Sequence, residues 1–584
     1  MCPVGHPKHL LTVSVEDYFH SGSLQGVVAP KYWTRIESRL EKSIRDTIDL
    51  LGEHQMVATF FVLGWIAERQ PEIVRMIRAA GHEIASRGFG KGEVRSPQAL
   101  KENLQRTREA LERAGSNRIF GYRHWRWLNR PEELWVLDVL AAEGYSYDSS
   151  VIPLFRRFRG TPEIFEAHRR PASGGSAPLW EFPVSTTNFM GYRIPISGGN
   201  YLRQLPHRLM SQAIAEWNRS RPTPILFYFF PWELDCEQPQ IQGLSTFQRI
   251  RHYRRIGKTL HVMRKYARLY QFQPIGDYLG LPWRTAPVEM PAPRPGAEIL
   301  TDAPPLPADA LSVTVVVPLF NEETNVPYLR GNLIDLALRL RRQFRVQFIL
   351  VDDGSSDGTW KQLQDRFADL PGCRLLRHEK NAGVAAAIMT GIRNATTPIV
   401  ASMDCDCSYD PAELEKMIPM IKDAELVTAS PYHPDGEVYN VPAWRLFLSR
   451  TLSSIYSILL SSKIHTYTSC FRVYRKEAVE RIAIREGGFL GVAELLIRLR
   501  LAGGRVAEYP TTLASRLFGE SKMKVVRTIF RHLGLIGELA RLRLRGGPVA
   551  PPAPAPALPV PIPPAPVPSP AATGSPTTSP VESP

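Results

Sequence analysis

VVVPLFNEETNV (315–326) and VQFILVDDGSSDGT (346–359) read as two apolar strands, each ending in a polar loop, with a helix between them. Unbroken Val- and Leu-rich runs suit strands buried on both faces of a parallel sheet. A third unit reaches NAGVAAAIMTGI (381–392), and IVASMDCDCSYDP (399–411) ends another strand in Asp404 and Asp406. This rhythm predicts a doubly wound α/β sheet, in which ligands sit at the carboxyl ends of the strands. The polar clusters fall at such ends and are expected to converge in one crevice.

The chemistry of that crevice suits a nucleoside diphosphate-sugar. Its diphosphate is anionic and needs a divalent cation. Two Asp at i, i+2 can turn carboxylate oxygens towards one Mg²⁺ or Mn²⁺, which would offset charge as the sugar leaves. Asp352 and Asp353 could accept hydrogen bonds from base and ribose. Alone, each motif has a plainer reading: DxD occurs by chance in turns, and VDDGSSDGT could be an Asx-rich turn capping the next helix. Their order on successive strands favours the sugar-nucleotide reading.

With YTSCFRVYRKEA (467–478) and FGESK (518–522), these motifs resemble family-two glycosyltransferases of the GT-A fold, of the dolichol-phosphate mannosyltransferase kind. The resemblance implies that Pro318, Phe320, Glu322, Asp352 and Asp353 hold the nucleotide. It implies Asp404 and Asp406 as metal and diphosphate residues, and Arg516, Ser521 and Lys522 closing over the phosphates. Three departures stand out: Pro431 where relatives carry Arg, Cys470 for a Gly, and Thr466 near a missing Asp. A polyprenyl-phosphate acceptor is already ionised and needs no general base, whereas a sugar hydroxyl does. Glu494 is the candidate base; its alternative is a helix N-terminal acid favoured by the macrodipole.

Outward from this region, 282–309 is a Pro-rich linker with 8 prolines in 282–307, and 548–584 holds 15 of the 51 prolines. The tail cannot build a core. Between them, 516–545 is basic and helical, with eight Lys/Arg against two Glu. MKVVRTIFRHLGLIGELARLRLR (523–545) reads either as a helix lying on anionic membrane or as an ordinary packed amphipathic helix.

Residues 1–281 repeat the β-α rhythm: LLTVSV (10–15), SRLEKSIRDTIDLLGEHQ (38–55), VATFFVLG (57–64), a helical 66–80 and HEIAS (82–86). LTVSVEDYFH (11–20), the stretch 58–90, GYRHWRW (121–127), SGGNYLR (197–203), YFFPWELDCEQPQ (228–240) and FQRIRHYRRIGKTL (247–260) resemble polysaccharide deacetylases of carbohydrate esterase family four. That family is a distorted (β/α) barrel. Its active members bind zinc through one Asp and two His, with an Asp base and a His acid. Here Arg87 and Lys91 stand for the two metal His, Ser14 for the base and Phe230 for the acid. Asp17, His82, Gly88, Arg123, Trp232 and Glu233 remain. The resemblance therefore implies an inactive deacetylase-like domain without zinc. The rival is a repurposed centre using Glu16, Asp17 and His20. Arg87 and Lys91 are expected to bind an anionic glycan or to pair with Asp17.

The whole chain of 584 residues carries 72 Lys/Arg against 57 Asp/Glu, a net +15, which favours anionic partners. No basic cluster interleaved with aromatics suggests a nucleic-acid module. Six Cys without CxxC spacing make neither a disulfide framework nor a zinc ribbon. No run reaches the ~18 apolar residues of a membrane span, and no secretory leader is read. The expected location is the cytoplasm, with peripheral contact at the inner membrane face left open.

The expected architecture is thus α/β throughout: a deacetylase-type barrel (1–281), a linker (282–309), a GT-A domain (310–545) and a tail (546–584). The expected activity is inverting transfer of a sugar from a nucleoside diphosphate-sugar to a polyprenyl-phosphate or glycan acceptor. Alternatives are a bifunctional enzyme whose first domain hydrolyses N-acetyl groups, and a non-enzymatic glycan-binding scaffold.

Overall fold

The computed structural model describes residues 8–90, 94–154, 162–171, 177–190, 192–284, 310–439, 441, 443–519 and 525–544. Lys91, Ser521, Lys522, most of the linker and the Pro/Ala tail lie outside the described residues. The chain divides into two compact units, Met1–Thr301 and Asp302–Pro584.

The strands of the first unit are β1 (His9–Val15), β2 (Thr59–Val62), β3 (Glu83–Ser86), β4 (Gly121–Tyr122), β5 (Tyr147–Asp148), β6 (His168–Arg170), β7 (Leu179–Glu181), β8 (Thr186–Phe189), β9 (Tyr192–Pro195), β10 (Leu226–Phe229) and β11 (Phe272–Gln273). They pair in the order β10-β1-β2-β3-β4-β5-β7-β6, with β11 on β1, and all but β6–β7 are parallel. Beyond β7, Ser185 accepts from the Ile196 amide, and Gly198 bridges Tyr228 of β10. The sheet therefore curls back towards its own first edge, as a distorted barrel does. Gly198 is required for that closure, because a Cβ there would lie 2.0 Å from the Tyr228 ring.

β1 is buried along its whole length, as a central parallel strand should be. Helix Leu40–Glu53 covers it with Leu40, Ile44, Thr47 and Leu51, spaced at one helical face. The single helical pattern over 66–80 is in fact two helices, Gly64–Arg69 and Pro71–Ala79. Pro71 lacks the N–H that would continue the first helix, so it opens the second instead.

At β5 and β7, Asp148 and Glu181 are both fully buried and hydrogen-bond each other. Two carboxyls can do so only if one is protonated. Burial and the neighbouring Asp148 push the Glu181 carboxyl well up. A carboxyl whose folded value is raised adds stability below its unfolded value of ~4.3 and loses it as pH climbs through the raised one. We expect the melting temperature to fall between mildly acidic and alkaline pH, and Glu181→Gln to flatten that slope; equal slopes in both proteins would refute the shared proton.

The second unit has β12 (Leu311–Leu319), β13 (Phe344–Asp352), β14 (Cys373–Arg377), β15 (Ile399–Ser402), β16 (Leu426–Ser430), β17 (Glu437–Tyr439), β18 (Arg472–Arg475), β19 (Val506–Pro510) and β20 (Thr512–Ala514). Seven of them pair in the order β14-β13-β12-β15-β18-β16-β19, with β18 antiparallel to both neighbours. The pleat sorts the strand residues: Val313, Val315 and Val317 meet helix Val326–Leu340 on one face. Val316, Ile349 and Val351 meet helices Val384–Asn394 and Phe489–Leu501 on the other. The doubly wound reading of the sequence is the observed architecture. β17 and β20 pair beside the sheet, and Tyr409 bridges Leu513 of β20. Among the described residues, no helix is long and apolar enough to cross a membrane.

Candidate functional site

In the second unit, three strands deliver their carboxyl ends to one crevice. β12 ends in Pro318 and Leu319, opposite Val351 and Asp352 of β13, with the half-buried Phe320 just beyond. β15 lies on the other side of β12 and leads directly to Asp404 and Asp406.

Glu322, Asp406 and Arg516 converge although far apart in sequence. Arg516 Nη2 lies 2.8 Å from Asp406 Oδ2, and its Nη1 lies 3.4 Å from Glu322 Oε1. Glu322 is set by its own amide, which donates to Thr359 Oγ1 (2.8 Å), and by Asn325, which donates to its carboxylate. Burial raises its carboxyl above the ordinary range. Asp406 Oδ1 accepts from the Ser408 amide at 2.9 Å.

Asp404 is half-buried, and its carboxyl is pushed up to about 7, first by desolvation and then by Asp406. The buried Cys470 thiol hydrogen-bonds Asp404, so the side chain that departs from the family's glycine sits against the acid. Asp404 held beside Asp406 this way ionises reluctantly, and a divalent cation relieves that repulsion. The donor set is all oxygen, which suits Mg²⁺ or Mn²⁺. Among the described residues no three His, Cys, Asp or Glu side chains converge as a metal group. The pair thus fits a cation that keeps most of its coordination sphere for water and a diphosphate.

Asp352 is buried at the end of β13; its Oδ1 accepts from the Ser355 amide (3.2 Å), and Arg377 Nε lies 3.0 Å from its Oδ2. Sequence reading overlooked Arg377, which sits on β14 opposite Asp352. Asp353 differs from expectation. Its carboxylate accepts from the Ala382 amide (2.9 Å), the Gly383 amide (2.7 Å) and Asn381 Nδ2 (3.0 Å), and His378 Nδ1 lies 2.7 Å away. Asp353 therefore orders the 381–383 loop rather than facing the crevice. The loop needs that clamp: Gly383 has φ +101°, and a Cβ there would meet the Gly487 backbone at 2.5 Å.

Glu494 is likewise placed away from the expected role. It is buried, its Oε2 accepts from the Arg485 and Glu486 amides (both 3.0 Å), and Arg498 Nη2 lies 2.6 Å from its Oε1. Both oxygens are engaged, Oε2 by the 485–486 loop and Oε1 by Arg498, so it is not poised as a base.

In the first unit, Arg87 touches both Ser14 and Phe230, the described residues that the sequence placed at the positions of deacetylase ligands. Arg87 is 3% exposed; its Nε and Nη2 donate to Glu16 Oε1 at 2.9 and 2.6 Å, and its Nη1 to Ser14 Oγ at 3.3 Å. Its guanidinium lies 5.7 Å from the Phe230 ring centroid, within cation–π reach. Arg123, fully buried beside it, donates to Ser14 Oγ (3.1 Å), Thr12 Oγ1 (3.0 Å) and Ser149 Oγ (2.8 Å), and stacks 4.1 Å from the Phe61 ring. Burial and the neighbouring Arg87 push its guanidinium down to about 9.

The expected Arg87–Asp17 pair is therefore corrected to Arg87–Glu16. Thr12, Ser14 and Glu16 follow each other at strand period two and face the arginines together. Asp17, one residue on, opens the short 3-10 turn Tyr18–His20, accepting from the Tyr18 amide (2.8 Å), Ser38 Oγ (2.6 Å) and the Arg39 amide (3.0 Å). His20 packs edge-on against Trp33 and Trp65, consistent with a structural part. The repurposed centre of Glu16, Asp17 and His20 does not assemble: Glu16 is held by Arg87, and no metal group of three forms among the described residues.

Comparison with known proteins follows the same division. Residues 314–483 match the model for glycosyl transferase family 2, residues 37–141 that for polysaccharide deacetylase, and residues 149–280 a domain of unknown function (DUF3473). A polyprenol monophosphomannose synthase of Mycolicibacterium smegmatis is 32% identical over 243 residues, covering 39% of this chain and 89% of that protein. A dolichol-phosphate mannosyltransferase of Pyrococcus furiosus is 31% identical over 234 residues; the match covers 40% of this chain but only 64% of the length of that relative. An undecaprenyl-phosphate mannosyltransferase of Micrococcus luteus is 28% identical over 219 residues, covering 36% and 88%.

Proposed function

The chain belongs, through its second unit, to glycosyl transferase family 2, and from that premise we propose that it moves a sugar from a nucleoside diphosphate-sugar to a polyprenyl phosphate. One observation carries the reading: Asp404, Asp406, Glu322 and Arg516 gather where β12 and β15 end, beside Asp352. Relatives named for transfer to polyprenyl phosphates support the acceptor class.

In this reading Asp404 and Asp406 hold the divalent cation, whose chemistry is to offset charge on the departing diphosphate. Asp352, fixed by Ser355 and flanked by Arg377, accepts hydrogen bonds from the nucleoside. Arg516 turns its guanidinium to the diphosphate. Asp353 orders the 381–383 backbone against the nucleotide. The acceptor phosphate oxygen bonds to the anomeric carbon as the bond from that carbon to the diphosphate oxygen breaks, and the nucleoside diphosphate leaves. Attack from the opposite face inverts the anomeric centre. An ionised phosphate needs no base, which agrees with Glu494 being fully engaged. Peripheral membrane contact fits a lipid acceptor; helix Ala443–Leu459, with Phe447 70% exposed, packs beside helix Val525–Leu544.

The test is a panel of UDP- and GDP-sugars with Mn²⁺ or Mg²⁺. A donor that binds the native chain raises its melting temperature by mass action. With undecaprenyl phosphate, labelled sugar should pass into the organic phase; transfer to soluble glycans alone would refute the acceptor.

For the first unit we propose a non-hydrolytic role as a glycan-binding or scaffolding domain. The supporting observation is the Arg87–Glu16 pair, which places a guanidinium against the carboxylate that faces the barrel interior. A cation so fixed repels a metal ion. Purified chain equilibrated with zinc should retain substoichiometric metal and release no acetate from N-acetylhexosamine oligomers. Stoichiometric tightly bound zinc would overturn this reading in favour of an active hydrolase.

A further inference from the structure

In the first unit, TFQRIRHYRRIGK (246–258) carries four Arg and one Lys and no acid. Its inner side is firmly built. His252 is buried, stacked on Trp232 with ring centroids 4.4 Å apart, and lies 3.0 Å from both Ser23 Oγ and Gln238 Oε1. Arg203, ion-paired to Glu233 at 2.8 Å, donates to the carbonyls of Arg251 (3.1 Å), His252 (2.9 Å) and Arg254 (2.9 Å). The helix Thr246–Tyr253 is therefore held at its C-terminal end by a fully buried cation.

Its outer side is different. Phe247 is 73% exposed and Ile250 46%. Arg249, Arg251, Arg254 and Arg255 are exposed, and among the described residues none of the four pairs with a carboxylate. Phe247, Ile250, Arg251 and Arg254 fall at i, i+3, i+4 and i+7, so one face presents both apolar groups and charge.

We propose that this face docks on an anionic lipid bilayer, with Phe247 and Ile250 entering the headgroup boundary and the arginines pairing with anionic lipid headgroups. Charge complementarity selects the partner: four exposed arginines with no acid in the segment call for a dense anionic surface, while Lys258 is turned inward to the Arg203 and Leu205 carbonyls. The two apolar side chains select a bilayer over a soluble polyanion, which would satisfy the guanidinium groups but offer Ile250 nothing. The inference stands on the first unit alone and does not depend on the transferase reading.

The experiment is flotation of the full chain with phosphatidylcholine vesicles, with and without phosphatidylglycerol. The wild type should float with anionic vesicles and lose binding as salt rises. Phe247→Ser/Ile250→Ser should weaken partition by about tenfold or more. Arg249→Gln/Arg251→Gln/Arg254→Gln should weaken it by about a hundredfold at low salt, at roughly fivefold per charge. These positions are exposed, so unchanged melting temperatures certify the fold. Unchanged binding in both variants overturns the proposal. Loss with Leu533→Ser instead assigns the contact to helix Val525–Leu544 and also overturns it. So does a loss confined to the arginine variant that soluble polyglutamate reproduces, which points to an anionic polymer.

Discussion

Asp404→Asn should lower kcat/KM for sugar transfer about a thousandfold or more, roughly 4 kcal/mol of transition-state stabilisation, without lowering the melting temperature. The two halves of this result have one cause. Asp404 is held beside Asp406 in a poorly solvated position, and its carboxyl is pushed up to about 7. A carboxyl raised in this way contributes stability at low pH that is lost as pH rises through about 7. Asn carries no charge to lose, so the variant should match the wild type below about pH 4 and exceed it increasingly from there up to pH 8. In the proposed mechanism, the acid that costs stability is also the one that would hold the cation and diphosphate. Steady-state kinetics with a matched donor, alongside melting curves at both pH values, checks the claim. A variant that keeps full activity would remove Asp404 from the metal assignment; one destabilised at pH 8 would refute the electrostatic account.

Glu16→Gln should destabilise the first unit by about 3–5 kcal/mol. Glu16 and Arg87 are each about 3% exposed, so neither can turn to water when its partner is neutralised. The Arg87 guanidinium sits beside that of Arg123, whose titration is already driven down by burial and by Arg87. Removing the negative charge leaves two adjacent buried cations with Ser14 as their shared acceptor. In a unit of this size the loss corresponds to roughly 10 °C in melting temperature. The double substitution Glu16→Leu/Arg87→Met removes both charges at similar volume and should recover most of the loss. A double-mutant cycle by chemical denaturation measures the coupling. Additive single effects would mean that the two side chains do not depend on each other.

Much of the architecture was legible because period and order carry it. The Val-rich runs from 313 and 346 specify strands buried on both faces, and the acidic clusters after them mark the carboxyl ends. What escaped was side-chain direction. Asp352 and Asp353 look equivalent in sequence, yet adjacent residues at a strand end point opposite ways; one faces the crevice side and the other clamps the 381–383 loop. The same parity decides between Glu16 and Asp17. Counting by two from Thr12 through Ser14 would have chosen Glu16 as the partner of Arg87. Glu494 was ambiguous for another reason. Whether a helix acid is free or engaged depends on the loop folded against it, here Arg485 and Glu486, and no local pattern announces that. Arg377 was invisible because its partner Asp352 lies on the neighbouring strand, a pairing that no local pattern announces.

The Arg87–Glu16 pair also bears on history. Suppose the barrel descends from a zinc-dependent ancestor. A lone return of Arg87 to histidine would strand Glu16 in an apolar interior without its counter-charge, before any other ligand was back to hold a metal. A lone return of Ser14 to aspartate would instead place a second acid among the arginines and strengthen the existing arrangement. Each single step towards the old chemistry is either unstable or entrenching, so the path home requires several changes at once. On that supposition the buried pair would act as a one-way gate between the old chemistry and the present arrangement.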